Sequence, residues 1–139
     1  MVKIQDLQNI AAEGKFVPEF KSGQTVRVFE KIKEGDKTRM QVFEGLVIAC
    51  GGQGAGRTIT VRKIVGKIGV EKIFAVFSPN IEKFEITKEA KVRRAKLFFM
   101  RDRRGKSARL KEKFLTKQDL QKNQKPAEEK VTENSSQKD

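Results

Sequence analysis

Between residues 24 and 87 apolar side chains recur at roughly every second position, and that period confines the stretch to β-strands with one buried face. The runs TVRVFEKIK, RMQVFEGLVIAC, TITVRKIV, VEKIFAVF and IEKFEIT are rich in Val, Ile, Phe and Thr, which suit a pleated, half-buried surface, and they predict five strands. Glu34-Gly35-Asp36 supplies a first turn and Ser78-Pro79-Asn80 a last one. Gly45, inside the second run, predicts a bulge or bend of the kind a small barrel needs to turn a corner. Short strands at this spacing, punctuated by Gly and Pro, predict a mainly β fold: a small closed or nearly closed barrel over residues 18–87.

The flanks read differently. Ile4, Leu7 and Ala11, with Ile10 beside them, have the spacing of a short amphipathic helix over residues 1–17, a lid that Gly14 and Pro18 would break. Residues 88–114 predict a basic, partly helical arm: on a helical wheel Val92, Ala95 and Phe99 share one side, Lys91, Arg94, Phe98 and Arg101 another. Residues 115–139 lose their aromatics and alternate charges, so they predict a disordered polar tail that cannot repay the entropy of folding.

Thirty-one Lys and Arg against eighteen Asp and Glu give a formal charge of +13, and its placement matters more than its size. Residues 1–87 carry 14 basic and 10 acidic side chains, residues 88–113 carry 12 and 3, and residues 114–139 carry 5 and 5. Most of the excess therefore lies in about a fifth of the chain, which predicts a polyanionic partner. No run approaches the roughly 18 apolar residues of a membrane span, and MVKIQDLQNIAAEGK lacks the apolar core of a signal peptide, so a cytoplasmic protein without a membrane partner is expected. With no His and a single cysteine, Cys50, one chain cannot build a Ser-His-Asp or Cys-His pair, a disulfide framework or a Cys/His zinc site.

The run KVRRAKLFFMRDRRGKSARLKEK is the strongest functional signal. Arginine presents a planar fork of donors that pairs with phosphate through two hydrogen bonds, and an aromatic ring between cations can stack on an unpaired base. A solvated helix face would interleave both signs, yet only Glu89, Asp102 and Glu112 interrupt the cations here. The candidate RNA contacts in the arm are Lys91, Arg93, Arg94, Lys96, Phe98, Arg101, Arg103, Arg104, Lys106, Arg109 and Lys111; Phe99 fits packing better than base stacking. On the barrel the further candidates are Arg57, which follows GGQGAG, and Arg62 and Lys63, which lie on opposite faces of a strand, where such residues are more often plain surface than specific contacts. GGQGAGRT superficially matches a nucleotide phosphate loop, but the alternating TITVRKI after it predicts a strand where such a loop must open a helix. The loop is better read as a hairpin tip whose bare backbone can lie close to RNA. Cys50 ends an apolar run and reads as a small buried hydrophobe; Glu44 and Glu71 read as isolated acids without a catalytic role.

Taken in order, QVFEGLVIAC, TVRKI, GVEKIF, FSPNI and VRRAKLFFMRDRRGKSARLKEK resemble the family of the nineteenth protein of the bacterial large ribosomal subunit, from about Pro18 to Phe114. The resemblance implies an SH3-like β-barrel with terminal extensions and no enzymatic activity or cofactor. It implies binding to large-subunit ribosomal RNA at the face meeting the small subunit, contact with small-subunit RNA across that interface and with neighbouring ribosomal proteins, and a share in an intersubunit bridge. Thr60 to Ile64 would form a barrel strand, and the arm carrying Arg93, Arg94, Lys96, Arg101, Gly105, Lys106, Arg109 and Lys111 would lie along RNA. Phe98 and Phe99 depart from the tyrosines common there, and Glu89-Ala90 from a common basic residue and glycine.

Two further classes keep a place. A free regulatory factor built on a similar barrel would share the basic arm, because one fold hosts many RNA tasks. An enzyme acting on RNA would have to use Glu44, Glu71 or Asp102 as acid or metal ligand, and only their position among cations suggests it.

Overall fold

A computed structural model describes residues 17–113; the expected N-terminal helix and polar tail lie outside the described residues, Val17 apart. The period of two becomes strands β1 (Gln24–Glu34), β2 (Lys37–Gly51), β3 (Thr58–Val65), β4 (Ile68–Ala75) and β5 (Ile81–Ala90), joined by a sixth, two-residue strand β6 (Glu112–Lys113). Every pairing is antiparallel, in the order β4-β3-β2-β1-β5-β6, and the sheet curls into a half-barrel. The mainly β, small-barrel expectation holds.

Alternation along each strand sends one set of side chains inward. Val26 and Val28 of β1 meet Phe43 and Val47 of β2, Ile59 and Val61 of β3, Phe74 of β4, and Phe84 and Ile86 of β5. Phe20, ahead of β1, caps this core edge-on against Phe84, with ring centroids 4.9 Å apart.

The irregularity expected at Gly45 lies three residues further on. The β2–β3 register slips between Val47 and Ala49, so Ile48 has no partner on β3. Val47 points into the barrel core, whereas Ile48 is buried in a separate apolar cluster outside it. Gly45 serves a different purpose: a Cβ there would stand 2.5 Å from the Arg62 carbonyl oxygen, so its bare backbone lets the neighbouring strand approach.

Candidate nucleic-acid interface

The arm is an excursion that leaves β5 at Ala90 and returns to it. β6 pairs Glu112 with Ala90 and Lys113 with Glu89, which pins both ends of the loop to one strand. Its helical content is two short 3-10 turns, Phe98–Arg101 and Gly105–Ala108, separated by irregular chain. A continuous α-helix would stack like charges one turn apart, Arg93 on Lys96, Arg101 on Arg104 and Lys106 on Arg109, and such pairs are destabilising. The packed side also differs from the helical wheel: Ala95 is exposed, and Leu97 and Met100 are the buried residues.

The bulge on β2 holds the arm in place. Leu97 and Met100 pack on Ile48, with Leu46, Val92, Phe99, Ala108 and Leu110 around them. The Leu97 N–H donates to the Ile48 carbonyl at 2.7 Å, and the Ser22 hydroxyl donates to the Ala95 carbonyl. Ile48 thus supplies both an apolar anchor and an acceptor, because the slip in register takes it out of the ladder.

With most of its apolar side chains turned inward, Ala95 and Phe98 apart, the arm presents its cations outward. Of the twelve Lys and Arg in residues 88–113, two are paired with carboxylates, Lys88 with Glu112 and Arg101 with Glu71. The other ten have no ion pair among the described residues. Four of the twelve stack on the two aromatic rings. Arg94 and Arg103 lie 5.3 and 4.7 Å from the Phe99 ring centre, and Lys96 and Arg101 lie 5.9 and 4.6 Å from that of Phe98. Phe98 is 44% exposed, while Phe99 is half-buried against the second cluster. Lys91, Arg93, Arg94 and Arg103 rim a cleft of about 400 Å3 whose apolar walls come from Val92, Leu97, Phe99 and Leu110. Cations around an apolar, aromatic floor suit a phosphate beside an unpaired base.

The three barrel candidates are engaged within the protein. Arg57 donates to the Phe20 carbonyl at 3.3 Å, and Lys63 sits 4.7 Å from the centre of the Phe43 ring. Arg62 is turned inward and donates to Glu71 at 2.9 Å. Glu71 is therefore no isolated acid: it also receives both Nε and Nη2 of Arg101, at 2.8 and 2.9 Å. These hydrogen bonds, that from Arg101 first, hold its carboxyl below the usual 4.5 although burial opposes them. Glu44 likewise pairs with Arg27. Counting back from a turn at Gly66-Lys67 would have placed Arg62 opposite Glu71, the register observed. Nothing local in the sequence signals the third member, Arg101.

The glycine-rich loop folds on itself and leads directly into β3, as its alternation predicts. It holds a 3-10 turn at Gly54–Gly56, and Gly52, at φ +76°, leaves no room for a Cβ, which would meet the Gly56 carbonyl oxygen at 2.2 Å. The missing side chain there serves the loop's own closure. Cys50 is half-buried against the barrel core, and desolvation raises its thiol pKa despite the opposing effects of Arg57 and a Ser22 hydrogen bond.

The family model described as Ribosomal protein L19 matches residues 3–113. Among curated proteins, the large ribosomal subunit protein bL19 of Persephonella marina is 55% identical over 98 residues, covering 70% of this chain and 74% of its own. Those of Campylobacter lari and Campylobacter fetus subsp. fetus are 50% and 48% identical over 110 residues, each covering 78% of this chain and 93% of the relative.

Proposed function

This chain belongs to the ribosomal protein L19 family, and from that premise we propose that it is a structural, non-enzymatic constituent of the large ribosomal subunit whose arm binds ribosomal RNA. The observation that carries the RNA reading is the set of ten arm cations without a carboxylate partner among the described residues, held outward by a packed apolar underside. Phosphates meet that need, because each one neutralised releases condensed counterions. Arg93, Arg94, Lys96, Arg103, Arg104, Lys106, Arg109 and Lys111 would contact the backbone, with Lys91 at the start of the arm. Phe98 would meet a base. Arg57, Arg62 and Lys63 contribute less, since their side chains are already engaged.

The same reading places the protein in the ribosome, hence in the bacterial cytoplasm, with neighbouring ribosomal proteins around it. It also places the arm's surroundings at the face meeting the small subunit, where the protein helps form a bridge; that location rests on family likeness. Crosslinks to small-subunit RNA should form in joined ribosomes and vanish on dissociation. A free regulatory factor finds no support in the relatives described above, which are large-subunit proteins by name.

The direct test titrates salt against binding to purified large-subunit RNA. If about eight phosphates are neutralised, log K should fall against log salt with a slope of about −6 to −7. Affinity that barely changes with salt would overturn the reading.

A further inference from the structure

We propose that Glu71 is a positioning residue for the arm: by bridging Arg62 of β3 and Arg101 of the arm it holds the first 3-10 turn in the form that RNA meets, so an acid inside a cationic field strengthens the grip on a polyanion. The proposal rests on the RNA-binding reading above.

Arg62 and Arg101 would repel each other without a carboxylate between them, and Glu71 accepts three hydrogen bonds from the pair. The Arg101 contact has the forked form that fixes direction as well as distance. Arg62 adds a bond from Nη2 to the Arg101 carbonyl at 3.3 Å, so it holds the backbone of the turn as well as sharing its counterion.

The seat for Arg62 is built. Its guanidinium lies over Gly69, where a Cβ would stand 2.1 Å from Nη2. The side chain is only 14% exposed, and Nε is buried without a partner. A phosphate could reach Arg62 only poorly, and Glu71 is its sole ion-pair partner among the described residues. Removing Glu71 leaves a nearly buried cation uncompensated beside a second one, and the strain is relieved by moving the turn. Leu97 and Met100 would still rest on Ile48, but the turn at Phe98–Arg101 would lose its only ionic tie to the barrel among the described residues.

Two expectations of opposite sign separate this from the alternative. An acid that merely sits near RNA repels it, so Glu71→Gln, which raises the net charge by one, would tighten binding. A positioning acid gives the reverse. If the docked form drops to about a fifth of the population, affinity for purified large-subunit RNA falls about fivefold, while the salt slope stays the same because the phosphates finally contacted are the same. In the free full-length protein, amide exchange at Phe98 to Asp102 should accelerate while that of Val28 does not. Arg101→Lys, which keeps the charge and loses the fork, should show a smaller loss of the same kind, and Glu71→Asp should partly restore binding. Tighter or unchanged binding by Glu71→Gln, or unchanged exchange in the turn, overturns the proposal. If the unaltered protein fails to bind the RNA at all, the function reading falls instead, and the exchange experiment still reports on the bridge.

Discussion

The barrel and the arm carry equal numbers of cations and use them in opposite ways. Residues 17–87 hold twelve Lys and Arg, and seven of them form ion pairs among the described residues; residues 88–113 also hold twelve, and only two are so paired. The number of cations alone therefore does not decide how much charge a surface leaves uncompensated for a polyanion. The barrel places acids across its strands, as Arg27 faces Glu44 and Arg62 faces Glu71, and so cancels its field locally. The arm has too few acids to do so, and a compact sheet is what allows an uncompensated strip to remain ordered beside it.

The largest effect should come from removing cations by location at constant number. The triple change Arg93→Ala, Arg104→Ala, Lys106→Ala takes three charges from the arm without touching its stacked guanidiniums, and the salt slope for RNA binding should shrink by about three. Changing Lys33, Lys37 and Lys67 to Ala removes three barrel charges that have no ion pair among the described residues and should leave the slope nearly unaltered. Equal effects from the two triples would break the comparison, reducing binding to a matter of net charge.

Next in size is the joint between the regions. Ile48 is fully buried beneath Leu97 and Met100, so Ile48→Ala should cost about 2–5 kcal/mol in chemical denaturation, from lost burial and the cavity left behind. Exchange at the Leu97 amide should rise more than exchange within β1, because the anchor belongs to the arm's cluster and not to the barrel core. A uniform increase would show that the two clusters unfold as one.

A smaller effect is expected in acid. The carboxyl of Glu71 is lowered in the folded protein, so its contribution is fully present above its ordinary value of 4.5 and is lost as pH falls through the lower, folded one. Amide exchange at Phe98 to Asp102, corrected for its intrinsic pH dependence, should therefore hold steady down to about pH 4.5 and accelerate below it. Acceleration beginning well above that value would assign the change to another group.

The same contrast explains what could be read from sequence. Strand alternation is a local property, so Val26, Val28, Ile59 and Val61 announced a sheet by themselves, and all five long strands form on the expected runs, with β4 starting and ending two residues earlier than VEKIFAVF. The arm's order comes from outside it. Leu97 is buried because Ile48 slips out of register on a strand far away in the chain, and no spacing within the arm encodes that slip. The helical wheel failed at Ala95 for this reason, and the two-residue β6 is too short to leave a pattern. The candidate cations of the arm were legible because charge density survives any conformation. The engagement of Arg62 and Arg101 by Glu71 was not, since it joins three elements.

The finest test asks whether local cancellation is what keeps the barrel from acting as a second arm. Arg27 and Glu44 face each other at 2.8 Å across β1 and β2, both about half exposed, so solvent and salt screen the pair and Glu44→Gln should not measurably shift the thermal midpoint. It does free one barrel cation. If compensation is the operative difference, that change should raise RNA affinity slightly and only at low salt, where screening is weakest. If affinity is unmoved even there, the barrel stays off RNA because of where it faces and not because its charges are paired. The contrast between the two regions would then be one of orientation.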